Sequence, residues 1–197
     1  MKIGTVSVAP LAFANSSHSV VMAKGKEIAP YIGQIIDLHL AVYQEQPFFF
    51  EGTHEEYAPY IQMFADSEEA VACMAFDQGR MVGAIIGLPM KELPETWSKS
   101  YQEATDRVYY LGDATILEKY RRKHLGSDLY RQFEKAIPSG YDTLSFIRLD
   151  DPAEHPFNAL LKNRGAIELD KAIEYPWRDI RTKEIPLHKL IYWNKPI

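Results

Sequence analysis

At 197 residues, 46% hydrophobic and 25% charged, the chain has the size and balance of a globular domain with a sizeable core, which excludes a disordered or fibrous protein. Asp and Glu outnumber Lys and Arg by 27 to 22, a formal net charge of -5, so the phosphates of a nucleic acid or an anionic membrane repel the chain as a whole and neither is expected as a partner. A single cysteine excludes a disulfide framework and a cysteine-rich zinc site, and makes the cytoplasm the expected location.

No apolar run approaches the roughly 20 residues that span a bilayer. Near the start, Lys2 precedes an apolar stretch that closes on Ala12-Phe13-Ala14, as in secretory leaders. Pro10 and the Thr, Ser and Gly content argue instead for an N-terminal arm over residues 1–18, poorly ordered or paired as a strand, with one domain over 19–197.

Val20, Val21 and Met22 read as a strand that leads through Gly25 into a helix from Pro30 to Gln44. Ile32, Ile35, Ile36, Leu38, His39 and Val42 supply the 3.6-residue apolar face of that helix. After the aromatic segment Pro47-Phe48-Phe49-Phe50, Thr53 and Glu56 form a capping-box signature for a second helix to about Asp66. Glu69 to Phe76 and Met81 to Leu88 are strands joined by the turn Asp77-Gln78-Gly79-Arg80. A looser stretch spans Pro89 to Lys99. Asp106 to Leu117 is a long strand, Leu125 to Ile137 an amphipathic helix, Thr143 to Leu149 a strand, and His155 to Arg164 a helix closed by Gly165. Ile173 to Trp177 and Leu187 to Trp193 are the closing strands. This order, with one strand–helix–strand crossover, defines an α/β protein with a mixed sheet.

The most informative segment runs from Tyr109 to Tyr130, where an apolar strand passes into a short basic loop that opens directly onto a helix. The first N–H groups of a helix have no intrahelical partner, and the macrodipole places about half a positive charge there. Arg121, Arg122, Lys123 and His124 add charge at the same place, and Gly126 lets backbone approach a ligand closely, a construction that suits a pyrophosphate. It matches neither the Walker loop nor the G-x-G-x-x-G turn. The alternative is a solvated basic helix start.

Ile116-x-x-x-Tyr120-Arg121-x-Lys123-x-Leu125-Gly126-Ser127-x-Leu129 resembles the acetyl-CoA-binding motif of the GNAT superfamily of N-acetyltransferases, a strand followed by [RQ]-x-x-G-x-[GA] opening a helix. The element order from Val20 to Trp193 is similar as well, as is the helix-then-Gly segment Phe157 to Ala166. The resemblance implies a mostly antiparallel mixed sheet flanked by helices and splayed open at the coenzyme-binding strand. It also implies a pyrophosphate on the backbone from Arg121 through Arg122, Lys123, His124, Leu125 and Gly126 to Ser127, and a pantetheine arm paired with Ala114, Thr115, Ile116 and Leu117. His124 stands at the position of the usual first glycine, and Leu161 at that of a tyrosine which protonates the leaving thiolate in many relatives.

Asp113 lies three residues before Ile116, where relatives often carry a carboxylate that acts as base directly or through water; the alternative is an exposed strand-end carboxylate. His155 opens the last helix as a further base or thiol donor, or else as a helix-start histidine beside Asp150, Asp151 and Glu154. Tyr109 and Tyr110 are expected on opposite faces of their strand. Glu45, Glu51, Glu55 and Glu56, interleaved with Phe48 to Phe50 and Tyr57, suit an acceptor pocket for a cationic amine, or a polar helix face over aromatic packing. Cys73 reads as core, and no H-x-x-x-H or H-E-x-x-H spacing marks a metal site.

The function expected on the resemblance is transfer of an acetyl group from acetyl-CoA to a primary amine of a small molecule, peptide or protein, without a metal. A non-catalytic acyl-CoA-binding or regulatory module of the same fold is the alternative. A third reading is a scaffold or homodimer built on the aromatic strand Ile191-Tyr192-Trp193.

Overall fold

The structure, a computed structural model, describes residues 11–12, 18–101, 104–150 and 156–197. Of the N-terminal arm, only β1 (Leu11–Ala12), paired antiparallel with β2 (Ser19–Lys24), and His18 fall among them. The chain turns at Gly25 with φ +50 and passes through a 3-10 stretch, Gly25–Tyr31, into α1 (Ile32–Tyr43). This α-helix starts later than Pro30 suggested, because Pro30, without an N–H, is held inside the 3-10 stretch.

Strand β3 (Phe50–Glu51) precedes α2 (His54–Asp66), which opens on the expected capping box. Thr53 Oγ1 accepts from the Glu56 N–H at 3.2 Å, and Glu56 Oε2 accepts from the Thr53 N–H at 2.9 Å. The hairpin of β4 (Val71–Asp77) and β5 (Arg80–Pro89) turns on Gln78 and Gly79, both at positive φ (49 and 80), as a two-residue hairpin turn requires. Within the stretch expected to be loose, α3 (Glu95–Tyr101) forms after Pro94, with a Lys99–Glu95 ion pair of 2.9 Å across one turn. Then come β6 (Val108–Ile116), α4 (Leu125–Ala136), β7 (Thr143–Leu149), α5 (Pro156–Lys162), β8 (Ile167–Pro176), β9 (Arg178–Asp179) and β10 (Leu187–Pro196).

One sheet of eight strands, ordered β1-β2-β4-β5-β6-β7-β10-β8, organises these elements, and a small second sheet pairs β3 with β9. Every pair in the main sheet is antiparallel except β6–β7, joined by the α4 crossover. The protein is therefore α/β, with a mixed, mostly antiparallel sheet flanked by helices. One core lies under α1 and α2 and includes Ile36, Phe64, Ile86 and Tyr110; the other lies under α4 and α5 and includes Tyr109, Leu129, Phe133, Phe146 and Leu161. Tyr109 and Tyr110 thus take opposite faces. Strand β10 is interior, between β7 and β8, and Ile191, Tyr192 and Trp193 are buried within the chain, so the aromatic strand is not the free surface that a scaffold or dimer would use.

Two irregularities of β6 shape the functional end of the sheet. First, Ile86 pairs with Asp113 but Gly87 pairs with Leu111, which leaves Gly112 as the extra residue of a bulge. Second, β6 and β7 pair only from Val108↔Thr143 to Leu111↔Phe146, beyond which the parallel strands part. The sheet is splayed at the strand where the coenzyme was expected.

The bulge tolerates no side chain on either strand. A Cβ on Gly112 would enter the Phe64 ring, and one on Gly87 would lie 2.6 Å from the Tyr110 carbonyl oxygen and 2.6 Å from Phe133 Cζ. Since a main-chain oxygen cannot swing aside, Gly87→Ala is expected to lower unfolding free energy by about 1–3 kcal/mol, measured by denaturant unfolding. A wild-type midpoint would contradict this close approach.

Candidate active site

The site begins with α1. His39 and Tyr43 lie one turn apart and project from the helix face that packs on β6. His39 Nδ1 lies 2.9 Å from Asp113 Oδ2, and the pair is almost fully buried, with side-chain exposures of 4% and 2%. The Tyr43 hydroxyl donates to Asp113 Oδ1 at 3.2 Å, and the Ala114 N–H donates to the same oxygen at 2.9 Å. With Asp113 accepting from Nδ1–H, the basic nitrogen of neutral His39 is Nε2, which has no hydrogen bond among the described residues. The imidazole is sandwiched between Tyr43 and Tyr57, at ring distances of 3.9 and 3.6 Å.

Burial, followed by the Asp113 carboxylate, raises the Tyr43 and Tyr57 phenols well above their ordinary value; burial followed by Tyr110 does the same to Tyr60. These phenols are neutral donors at physiological pH, and Tyr60 donates to the Gly112 carbonyl at 3.0 Å. On the β7 side, Arg148 Nε donates to Asn158 Oδ1 at 2.8 Å. Burial lowers the Arg148 pKa, opposed by Tyr43 and Asp113.

Above this floor is a cavity of about 640 Å³. Its walls come from α1, α2 and α3, from the open ends of β6 and β7, and from the β8–β9 corner, with Tyr57, Tyr60, Trp97, Tyr110, Tyr175 and Trp177 among the lining side chains. The small sheet forms a strap beside it. Phe50 pairs with Asp179, the Ile180 N–H donates to the Phe49 carbonyl at 2.7 Å, and Trp177 Nε1 donates to the Phe48 carbonyl at 3.0 Å. Asp179 anchors the strap turn. The Arg181 guanidinium, aided by the Arg181 and Thr182 N–H groups, holds its carboxyl well below the usual range.

The basic loop lies at the far end of β6. Arg122 and His124 are both left-handed (φ 57 and 64), with His124 at the N-cap of α4. The N–H groups of Arg122, Lys123, His124, Leu125, Gly126 and Ser127 donate to no carbonyl among the described residues. Consecutive unpaired donors around left-handed residues form an anion nest, continued here by a helix N-terminus. With the unpaired edge of β6 leading to it, this donor set fits a coenzyme with a pyrophosphate head and an amide-bearing arm.

The side chains of the loop are placed less simply. Arg121 Nε donates to the Ile116 carbonyl at 2.7 Å and its Nη1 pairs with Glu45 Oε2 at 2.6 Å; Lys123 Nζ donates to the Lys119 carbonyl at 2.8 Å. Arg122 is exposed. Ala114 and Ile116 are half-buried on the α4 face, Thr115 is buried with no partner for Oγ1 among the described residues, and the Leu117 N–H donates to the Val82 carbonyl.

Asp113 is thus buried and paired, not an exposed strand-end group. His155 lies outside the described residues. Leu161 is fully buried core. Of the expected acidic wall, Glu51 and Glu56 line the cavity, whereas Glu45 serves Arg121 and Glu55 does not reach it. The sequence places His39 on the apolar face of α1 and gives no role to Tyr43 or Arg148; the signal for the first two is a histidine and a tyrosine four residues apart on a core-facing stripe. Cys73 is buried, which pushes its thiol up to about 12. Among the described residues no cluster of three or more metal-ligating side chains occurs, and no helix is long and apolar enough to cross a membrane.

The model of the acetyltransferase (GNAT) family matches residues 39–162, well over half of the chain. The chain belongs to this family. Its structure is similar to a ribosomal-protein-alanine N-acetyltransferase from Brucella melitensis (13% identity, TM-score 0.61, covering 90% of this chain and 99% of that one). It is also similar to the ribosomal-protein-S18-alanine N-acetyltransferase from Escherichia coli (15%, 0.57, covering 90% and 94%) and to a GNAT acetyltransferase from Streptococcus pneumoniae (14%, 0.58, covering 90% and 99%). At such identities the likeness is one of fold. No curated protein matches the chain by sequence.

The left-handed backbone at His124 explains why glycine is usual in this position of the motif. His124→Gly is expected to be more stable than His124→Ala by about 1 kcal/mol, measured by thermal unfolding of the two variants. The strap has a pH signature of defined sign. A depressed folded-state pKa contributes stability above the ordinary carboxylate pKa and loses it as pH falls through the folded value. Asp179→Asn should therefore lower the thermal midpoint at pH 7, with the gap from the parent narrowing as pH falls below about 4.

Proposed function

We propose that the chain transfers an acetyl group from acetyl-CoA to a primary amine by direct attack. The observation that carries this reading is that one break in the sheet joins three parts. The unpaired edge of β6 runs from the nest at the start of α4 to the Asp113–His39 pair, and His39 of that pair lines an aromatic cavity.

When bound, acetyl-CoA supplies an activated thioester carbonyl. The N–H groups from Arg122 to Ser127 would hold its pyrophosphate, and the edge of β6 near Ala114 to Leu117 would align its arm. Asp113 fixes the His39 tautomer and orientation, and His39 Nε2 takes the proton of the incoming ammonium. The C–N bond would form as the C–S bond breaks, and the second proton of the attacking nitrogen would pass to the departing thiolate, so that coenzyme A is released as the thiol. Leu161, buried in the core, offers that thiolate no proton, so the departure relies on the thiolate being a good leaving group. The Tyr43 and Tyr57 rings cover both faces of the imidazole.

Calorimetric titration with acetyl-CoA and a thiol-release assay with primary amines test the proposal. Binding is expected together with amine-stimulated release, and His39→Gln and Asp113→Asn should each lower kcat by about 10²–10⁴-fold with coenzyme affinity retained. Binding without amine-stimulated release would instead favour a non-catalytic module. No binding at millimolar acetyl-CoA would refute both readings.

A further inference from the structure

We propose that the acceptor is an arylalkylamine, a small molecule with one primary ammonium on a short aliphatic arm and an aromatic ring bearing a hydrogen-bond donor. This rests on the acetyltransferase reading and adds to it the identity of the acceptor class.

Size is the first argument. A cavity of about 640 Å³ is of the kind that encloses a small organic molecule rather than a polypeptide. A peptide acceptor needs an open groove along which its chain continues. The strap borders the cavity on one side, held by the pairing of Phe50 with Asp179, the Ile180 N–H to the Phe49 carbonyl, and a Lys183–Glu51 ion pair of 2.8 Å. The Arg181 guanidinium lies 3.5 Å over the Phe49 ring and fixes the strap further.

The chemistry of the walls is the second. Tyr57, Tyr60, Trp97 and Tyr175 form a connected run of rings: Tyr57–Tyr60 at 5.1 Å, Tyr60–Trp97 at 6.3 Å and Trp97–Tyr175 at 5.5 Å. Such a run presents faces and edges to an aromatic body. The reacting end of the cavity offers one acceptor, Nε2 of His39, whose other ring nitrogen is held by the buried Asp113, and this is a place for one ammonium. A polyamine would require further carboxylates along the wall. Glu56 is committed to the α2 cap, one oxygen of Glu51 to Lys183, and Arg148 and Arg178 bring positive charge to the lining, which disfavours a second ammonium.

A third observation concerns the end near the strap. Glu51 Oε2 is buried with no hydrogen-bond partner among the described residues, on a side chain that lines the cavity. A buried carboxylate oxygen is costly to leave unpaired, and a phenolic O–H or indole N–H on the ligand ring satisfies it.

The test uses the full chain with acetyl-CoA and follows thiol release with tyramine, tryptamine, spermidine and a hexapeptide with an N-terminal alanine. Tyramine and tryptamine are expected to exceed the other two in kcat/KM by roughly tenfold or more. Tyr175→Ala removes an exposed ring, and Trp97→Leu keeps an apolar side chain; each should lower the tyramine-to-spermidine ratio of kcat/KM by roughly three- to tenfold. Faster release with spermidine or the peptide, or an unchanged ratio in both variants, would overturn the arylalkylamine assignment and leave acetyl transfer standing. No release with any of the four amines would overturn the acetyltransferase reading, and this assignment with it.

Discussion

The bulge in β6 is the constraint on which the rest of the site depends, because it changes the phase of the strand halfway along its length. Up to Leu111 the strand alternates regularly, with Val108 and Tyr110 toward α1 and α2, and Tyr109 and Leu111 toward α4. Unbroken alternation would send Asp113 to the α4 side, into an apolar core. The extra residue at Gly112 keeps Asp113 on the α1 side, within reach of His39, and returns Ala114 and Ile116 to the α4 side. The bulged strand also bends where its pairing with β7 ends, so the phase change and the splay share a position. Two glycines meet there because the Tyr110 carbonyl and the Phe64 ring occupy the space that side chains would need.

A buried His–Asp pair carries a desolvation cost that its own attraction offsets only with good geometry and satisfied lone pairs. Both conditions are met. Asp113 accepts from His39, Tyr43 and its neighbour's N–H, and the rings of Tyr43 and Tyr57 cover the imidazole without competing for Nε2. The same rings begin the wall of the cavity. The polar machinery is therefore held by an apolar environment that also selects what enters, and the strap makes this environment continuous by tying the α1–α2 loop to the β8–β10 connection.

Much of the architecture was legible in the sequence because the elements that carry it obey local rules: the capping box of Thr53 and Glu56, the Gln78-Gly79 turn, and the periodic face of α4. Segments whose structure depends on tertiary context were not. Strand β8 is a charged edge, exposed on one face and half-buried at Leu169, Lys171 and Ile173 on the other, and Lys171 interrupts its apolar alternation, so only its end is legible in the sequence. At the site, Asp113 and the loop were found because a strand, a basic loop and a helix start are contiguous in the chain. His39 lies 74 residues from Asp113 and sits on an apolar stripe, so its role exists only once the bulge has set the register between α1 and β6. No local pattern encodes a bulge whose two glycines lie on different strands.

The basic loop shows how composition and geometry divide the work of anion binding. Arg121 is neutralised by Glu45 and clamps the end of β6 to the loop after α1, so its contribution is to shape the nest rather than to charge it. Lys123 likewise closes onto the Lys119 carbonyl. Besides the exposed Arg122, what remains at the loop is backbone: a run of N–H groups at a helix start, whose partial charges are fixed in place and need no ordering of long side chains when a ligand arrives. A site built in this way suits a chain with a net charge of -5, because its attraction for a compact pyrophosphate is short-ranged and is not shared by extended polyanions. The left-handed His124 is the cost of the same geometry, since the backbone conformation that aims these donors disfavours any residue with a side chain.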